Sequence, residues 1–339
     1  MRMNKEIVKA PYEKVTLTTL ENNHGMKVVL SSFGASIYSI EYDGVEMTLN
    51  TEKIEDFFVS PAYYGKTVGR ISGRLFGPDY EINHQVYQVK LEKDQIAMLH
   101  GGSKGFSMQK FEIDDQYIDQ NIASITYRYH SPNMEEGFPG NLDLIVEYQL
   151  NQLNELKIII KGNTDQDTLC NITNHIYFNL SKTNQKVHHQ ILSIDADHYV
   201  DVDDQYRFKT KKHVENTIFD FRKARTVGGS IEALKDSALL GIDHTFVLNE
   251  NPTPAAYLYD PISKYQVTVD TSYPAVVVYT HNLPSTFKLR GLDHPGVHCG
   301  ITFECQYEAD GIHHQELNSA ILKKENQYNH YINFKFEKK

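Results

Sequence analysis

The sequence of 339 residues has no tryptophan, three cysteines and no long apolar run. Its longest apolar stretch, residues 275–279, is far shorter than the roughly 20 residues that a membrane-spanning helix needs. Charges interrupt the N-terminal residues, which therefore lack the apolar centre of a signal peptide. An odd cysteine count without a C-x-x-C pair is typical of reduced thiols rather than of a disulfide scaffold. We therefore predict a cytoplasmic protein that does not insert into a membrane.

Glycine and proline are scarce as well, at 20 and 11 residues, which excludes collagen-like and low-complexity chains. Positive charge is in the minority, because 34 Lys and Arg face 44 Asp and Glu, a net charge of −10. This acidic balance argues against nucleic acid or an anionic membrane as the main partner. The remaining composition, 40% hydrophobic and 23% charged, is that of a globular chain with a sizeable core.

Aromatic and β-branched residues are abundant, with 22 Tyr and 16 Phe, and they recur in short alternating runs. Residues 142–150 alternate between apolar and other side chains, and residues 156–160 resume the pattern after a break. This predicts a hairpin with one buried face. Asp43-Gly44 is a strong two-residue hairpin turn. The same pattern predicts strands at residues 15–20, 26–30, 37–42, 45–49, 122–129 and 331–336.

Helical signals are few and short. One predicted helix spans residues 52–58, with possible caps at Asn50 and Thr51. A second spans residues 231–240 and ends before Gly241, a typical C-terminal glycine.

The spacing of the predicted strands indicates the fold class. Strands every 8–12 residues, with hardly any helix between them, predict an all-β fold, a large antiparallel β-sandwich or barrel. No linker, repeat or charge block divides the sequence, so we predict that residues 1–339 form a single domain.

Some polar residues interrupt the strand pattern where strand propensity does not explain them. His100 precedes two glycines, which let backbone approach a ligand or take a positive φ, so it either projects into a cavity or lies in a tight turn. His175 lies in a strand-like run, where it is either a general acid on a concave sheet or a buried histidine bonded to backbone. Glu304 lies in an apolar strand pattern, so it lines a site or pairs with a cation. Arg70 and Arg74, between glycines, are candidates for such a cation or for a bidentate ligand contact.

Motifs for metals and nucleotide cofactors are missing from the sequence. The 16 histidines show no H-E-x-x-H or comparable spacing, so we predict no metal site. There is no glycine-rich dinucleotide loop, no Walker loop and no G-x-S-x-G elbow, so nucleotide cofactors and serine hydrolysis are not expected. The sequence therefore predicts a protein that works without a metal or a cofactor.

Five segments, taken in order, resemble the aldose 1-epimerases, also called galactose mutarotases. The resemblance runs from about residue 15 to residue 336, essentially the whole chain. Five ordered matches are very improbable by chance. They are LHGG followed by GF at 99–106, EGFPGNL at 136–142, NHIYFNL at 174–180, DHTFVL at 243–248 and FECQ at 303–306.

The resemblance implies a large β-sandwich that binds sugar in an open cleft of the sheet. It implies interconversion of the α and β anomers of free hexoses such as galactose and glucose, with a monosaccharide as the partner and no cofactor or metal. By position, it implies Glu304 as the base that takes the proton of the C1 hydroxyl and His175 as the acid that protonates the ring oxygen. Arg74, His100 and Asp243 are implied as substrate-binding residues.

Two other functions fit the same segments. A non-catalytic sugar-binding module would share the sheet and the aromatic residues, but it would not need an acid and a base together. A related epimerase could act on a disaccharide or on a phosphorylated sugar, and a phosphate would favour extra cations in the cleft. The candidate cations lie in a segment that also fits a solvated basic loop: Arg207, Lys209, Lys211 and Lys212.

Three positions depart from the pattern of the family. Gly73 stands where the family usually has Asn, Val277 stands where it often has Gln, and residues 207–212 replace an expected P-T-G segment. We therefore expect weaker substrate binding than is usual in the family. The sequence alone suggests that Gly73→Asn would restore an amide contact and strengthen that binding.

Overall fold

The computed structural model describes residues 1–11, 13–183, 185–252 and 254–339, and its first sheet is built from the N-terminal strands. The predicted turn at Asp43-Gly44 is confirmed, since Tyr42 pairs with Val45 and both turn residues have positive φ. The strand predicted at 45–49 is shorter, because the Thr48 N–H bonds to the Glu46 carboxylate at 3.1 Å. In chain order the strands of this antiparallel sheet are β1 (Arg2–Lys9), β2 (Lys14–Glu21), β3 (Met26–Ser31), β4 (Ser36–Tyr42) and β5 (Val45–Glu46).

The other strands are distributed along the rest of the described chain. They are β6 (Thr67–Val68), β7 (Arg74–Phe76), β8 (Asp79–Ile82), β9 (Gln85–Gln88), β10 (Ala97–Leu99), β11 (Glu112–Ile118), β12 (Ile122–Ser131), β13 (Leu142–Asn151), β14 (Glu155–Thr164), β15 (Thr168–Leu169), β16 (Thr173–Asn174), β17 (Tyr177–Phe178), β18 (Ile191–Ile194), β19 (His198–Val202), β20 (Phe208–His213), β21 (Arg225–Thr226), β22 (Asp243–Val247), β23 (Ala256–Tyr259), β24 (Tyr265–Thr271), β25 (Ala275–Tyr279), β26 (Ile301–Thr302), β27 (Glu304–Gln306), β28 (Ile321–Leu322) and β29 (Tyr328–Lys338).

A nine-stranded antiparallel sheet contains the predicted hairpin. The strand order is β11-β12-β13-β14-β29-β24-β23-β18-β21. Strands β13 and β14 pair with Tyr148 opposite Ile158, and their alternate side chains are buried as the sequence predicts. The strands predicted at 122–129 and 331–336 are confirmed as parts of β12 and β29.

A five-stranded sheet carries part of the candidate site. Its order is β20-β19-β22-β25-β27, all antiparallel, with Val277 of β25 opposite Glu304 of β27. Strand β25 pairs with β27 on one side and with β22 on the other, and Asp243 is the first residue of β22. Two short pairs, β6 with β16 and β17 with β26, lie before and after His175 in the chain. A further pair, β7 with β10, sets Arg74 opposite Leu99.

The largest apolar core joins residues of all three larger sheets. It contains Val28 of β3, Val146 of β13, Val276 of β25 and Phe334 of β29, all essentially without solvent exposure. Period-two alternation explains this, because every second side chain of each strand faces the same layer. The fold is therefore all-β, a large antiparallel sandwich with few short helices, as the sequence predicts.

The two α-helices of the described chain start and end at other residues than predicted. Helix α1 is Ile54–Val59, and neither Asn50 nor Thr51 caps it with a side chain, because Lys53 occupies the N-cap position. Helix α2 is Gly228–Leu234, which begins and ends earlier than predicted. After it the chain turns through single hydrogen bonds such as Leu240 N–H to Ser237 O. No helix in the described residues is long and apolar enough to cross a membrane.

Candidate active site

All five residues that the family resemblance implies lie around one open cavity of about 370 Å³. Arg74, His100, His175, Asp243 and Glu304 come from distant parts of the sequence and from different strand pairs. The other lining residues are Ser60, Pro61, Ala62, Tyr63, Gly73, Leu99, Tyr177, Tyr206, Val277, Tyr279, His281, Asn282, Leu283, Pro284, Ser285 and Thr286.

Glu304 lies at the start of β27, with its side chain on the cavity side. Its chain neighbour Cys305 belongs to the apolar core, so the alternation predicted from the sequence holds here. The Glu304 carboxyl is 3% exposed and accepts a hydrogen bond of 3.3 Å from the Thr302 hydroxyl. Burial, helped by the charge of Asp243, raises the pKa of Glu304 to about 8.

His175 lies in a break between β16 and β17, not on a strand as expected. Its backbone is nevertheless held like a strand, because its N–H bonds to Lys66 O and its C=O accepts from Gly65 N–H, both at 2.9 Å. The ring is buried, with Nε2 3.3 Å from a Glu304 oxygen and Nδ1 without a partner among the described residues. Burial lowers the pKa of His175 to about 3. The ring thus meets Glu304 at the cavity, and the role of His175 as a general acid stays a prediction.

His100 is both a turn residue and a cavity residue. It has a φ of 50° and is followed by Gly101, where a Cβ would lie 1.8 Å from Gly69 O. Its Nδ1 accepts a 3.2 Å hydrogen bond from Gly73 N–H, so the neutral ring carries its hydrogen on Nε2. Burial lowers the pKa of His100, and the nearby His175 and Arg74 lower it further, so the ring is neutral.

Arg74 and Asp243 form a loose charged pair. Arg74 Nη1 is 3.9 Å from Asp243 Oδ2, and the Arg74 guanidinium carbon is 3.7 Å from the centroid of the Tyr206 ring. Burial raises the pKa of Asp243, while the charge of Arg74 opposes that rise.

Arg70 is not a site residue, so that part of the sequence interpretation is wrong. It is 2% exposed and its guanidinium donates to Ser131, Pro132, Pro139 and Thr168. The other cations considered from the sequence do not line the cavity either. Among the described residues, Arg207 pairs with Asp203, and Lys209 and Lys212 pair with Asp201.

Sequence reasoning missed several aromatic residues of the cavity. The Tyr63 ring packs 4.7 Å from that of His100 and 5.9 Å from that of His175. Tyr63, Tyr206 and His281 have positive φ, which is unusual for large side chains. Tyr177 lies in the NHIYFNL segment, so the family motif could have identified it. No local sequence pattern distinguishes Tyr63 or Tyr206 from other tyrosines.

One group of side chains in the described residues could hold a metal ion. Donor atoms of His100, His175 and Glu304 lie within 4.8 Å of one another. Zinc bonds of about 2.0–2.1 Å would need tetrahedral donors only about 3.3 Å apart. The contact between His175 Nε2 and Glu304 has this spacing, at 3.3 Å. The prediction of a metal-free site therefore stays a prediction.

Known proteins similar to this chain share its length and fold. The profile of the family described as "Aldose 1-epimerase" matches residues 16–335. An aldose 1-epimerase of Haemophilus influenzae is 33% identical over 338 residues, 97% of this chain and 96% of the relative. A maltose epimerase of Levilactobacillus brevis is 25% identical over 334 residues, 96% of each. A crystal structure of a galactose 1-epimerase from Lactobacillus acidophilus has a TM-score of 0.87 and 30% identity, over 99% of both chains.

Proposed function

Because this chain belongs to the aldose 1-epimerase family, we propose that it interconverts the α and β anomers of a free hexose such as galactose or glucose. The observation that supports this most is the buried contact of 3.3 Å between Glu304 and His175. Anomerisation needs a base at the C1 hydroxyl and an acid at the ring oxygen, and the two must exchange roles when the ring closes. A carboxyl and an imidazole in contact supply both groups.

The reaction needs one proton on this pair. The two pKa values place this proton on Glu304 in the resting pair, so the ring opens from the form in which the proton has crossed the 3.3 Å contact to His175. Glu304 as carboxylate then takes the proton of the C1 hydroxyl, His175 as imidazolium protonates the ring oxygen, and the bond between C1 and that oxygen breaks. The C1–C2 bond of the open aldehyde rotates, and closure on the other carbonyl face reverses both transfers. The raised pKa makes Glu304 a stronger base, and the lowered pKa makes the His175 imidazolium a stronger acid.

The remaining implied residues suit the binding of sugar hydroxyls. The neutral His100 ring has its Nε2–H available as a donor, and Arg74 offers guanidinium N–H groups. Asp243 supplies an acceptor next to Arg74. Oriented donors and acceptors would hold O1 and the ring oxygen against the reacting pair. No step requires a cofactor or a metal.

A second candidate substrate is the reducing end of a neutral disaccharide. A hexose displaces roughly six waters, about 180 Å³ at ~30 Å³ each, and the cavity of about 370 Å³ has room for more. The relative from Levilactobacillus brevis is named for maltose. A phosphorylated sugar has less support. Among the described residues that line the cavity, Arg74 is the Lys or Arg side chain, and its charge is already opposed by the nearby Asp243.

We also propose that residues 1–339 act as one domain in the cytoplasm. The family match over residues 16–335 supports a single unit. The three cysteines are free and buried, which suits a reducing compartment.

Polarimetry on freshly dissolved sugars tests the proposal. We expect the protein to accelerate the mutarotation of α-galactose or α-glucose, with maltose and glucose 6-phosphate as comparison substrates. Binding without acceleration of any sugar would instead support the non-catalytic module. Turnover of glucose 6-phosphate in preference to neutral sugars would contradict the assignment of a free hexose.

A further inference from the structure

Few contacts hold Arg74 in place, although it is the cation of the cavity. Its distance of 3.9 Å from Asp243 exceeds hydrogen-bond length. Gly73 has no side chain, and Val277, which also lines the cavity, has an apolar one. Within the described part of the chain, the Arg74 guanidinium makes no hydrogen bond of 3.5 Å or less. Its five N–H donors are therefore available to a ligand, and its plane must be fixed in another way.

The face of Tyr206 supplies that support. The guanidinium carbon of Arg74 lies 3.7 Å from the centroid of the Tyr206 ring, which is van der Waals contact over the face. A flat guanidinium stacked on a ring loses rotational freedom about its side chain, while its N–H groups still point outward in the guanidinium plane. Stacking thus orients Arg74 without using the donors that would bind sugar hydroxyls.

Tyr206 is itself held by a tightly bonded loop, residues 203–207, between β19 and β20. Its φ of 67° is unusual for a large side chain. The Asp203 carboxylate accepts hydrogen bonds from Gln205 N–H at 2.8 Å and from Arg207 N–H at 2.9 Å. Asp203 O accepts from Tyr206 N–H at 2.9 Å. These bonds offset the cost of the left-handed backbone and aim the ring at Arg74.

We propose that Tyr206 is a positioning residue for the reaction, acting through Arg74. Its ring fixes the plane of the guanidinium so that the N–H edge faces the sugar. This inference rests on the proposed function, because Arg74 must bind the substrate for its orientation to matter. The role belongs to the aromatic face and not to the hydroxyl of Tyr206.

Kinetics of two substitutions at this position separate the face from the hydroxyl. We expect Tyr206→Leu to raise the KM for galactose roughly two- to thirtyfold, the range that a cation–π contact supports, with little change in kcat. Tyr206→Phe keeps the aromatic face and should retain a KM close to that of the wild type. A matched control is Tyr331→Leu, which removes a ring 4.7 Å from Lys157 on the nine-stranded sheet; it should leave the KM unchanged.

A double-mutant cycle shows whether Tyr206 acts through Arg74. In an Arg74→Met background, Tyr206→Leu should cause no further rise in KM, because the stacked partner is gone. Additive effects would overturn the proposal, and so would a Tyr206→Phe variant as impaired as Tyr206→Leu. If Tyr206→Leu does not fold, as judged by thermal unfolding, Tyr206→Met replaces it. Met also removes the aromatic face but has a longer, more flexible side chain, and it should raise the KM similarly.

Failure of this inference differs visibly from failure of the proposed function. A wild-type protein that turns over galactose, with a KM insensitive to Tyr206→Leu, overturns only the role of Tyr206. A wild-type protein without mutarotase activity overturns the proposed function. In that case calorimetric titration with galactose makes the same comparison of variants through the dissociation constant.

Discussion

Arg70 and Arg74 are four residues apart in the same glycine-punctuated segment, yet their surroundings differ completely. Arg70 is buried, and its guanidinium donates hydrogen bonds to hydroxyl and carbonyl oxygens on three other segments. Arg74 is half-buried and stacks on Tyr206, and its guanidinium makes no hydrogen bond within the described chain. The N–H donors of Arg70 are used in hydrogen bonds that hold these segments together, whereas those of Arg74 remain available to a ligand. The difference shows that unsatisfied polar groups, more than residue type, mark the functional region.

The same contrast extends to the acid–base pair. Glu304 has Thr302 and His175 as neighbours at 3.3 Å, and His175 Nδ1 has no partner among the described residues. Buried groups with so few partners cost stability, and such costs concentrate at functional sites.

The largest expected effect comes from removing the base. Glu304→Gln keeps size and hydrogen bonding but loses the basic oxygen, so kcat should fall roughly 10²–10⁴-fold, the worth of one acid–base group. His175→Asn should cost a similar factor, and the double variant should lose little more, because the two groups share one transition state. Polarimetric kcat values decide this. Near wild-type turnover in Glu304→Gln would remove Glu304 from the mechanism.

Substituting the two arginines separately tests the comparison directly. Arg70→Met should lower the free energy of unfolding by about 3–5 kcal/mol, because several buried acceptors lose their donor at roughly 1–3 kcal/mol each. Arg74→Met should leave stability within about 0.5 kcal/mol. Its KM should rise roughly tenfold or more, through lost charged hydrogen bonds. Urea unfolding and polarimetry of both variants measure this, and a stable Arg70→Met protein would contradict the structural role.

The pH profile should show the single proton of the pair. The pair holds one proton between the pKa of His175 at about 3 and that of Glu304 at about 8. Above about pH 8 that proton is lost, no acid remains for the ring oxygen, and kcat/KM should fall about tenfold per pH unit. A profile that keeps rising beyond pH 9 would show that the reaction does not need this proton.

The same shift has a consequence for stability. The pKa of Glu304 is raised from 4.5 to about 8 in the folded protein, so the folded state binds more protons than the unfolded state in this window. The contribution of Glu304 to the free energy of unfolding therefore decreases as pH rises from about 4.5 to about 8. Gln does not titrate, so Glu304→Gln lacks this pH-dependent decrease. In chemical unfolding, the free energy of unfolding of Glu304→Gln minus that of the wild type should therefore increase with pH.

The smallest effect concerns Gly73, where the structure reverses the expectation from sequence. Gly73 has a φ of 73°, and a Cβ there would lie 2.7 Å from the Ala309 Cβ. Gly73→Asn should therefore raise the KM a few-fold rather than lower it, since the displaced backbone also carries the N–H that bonds to His100. Adding Ala309→Gly should relieve the contact and recover part of the loss. A lower KM in the single variant would support the sequence interpretation.

Local patterns predicted much of the fold and part of the site. Period-two alternation gave the hairpin of β13 and β14, and Glu304 stood out as a carboxylate in an apolar strand. The helix bounds were wrong, because capping at Lys53 involves no side-chain signal. Nothing local separates Arg70 from Arg74, or reveals Tyr206, because their roles depend on contacts with residues far away in the chain.

The loop at residues 203–207 also has an evolutionary and engineering consequence. It joins two adjacent strands at the surface, where exchange or insertion of residues disturbs folding least. Its bonds are internal to the loop, so a grafted connection can bring a different side chain over Arg74 without altering β25 or β27. Sugar affinity can thus diverge among descendants by loop replacement while the proton-transfer chemistry is inherited unchanged.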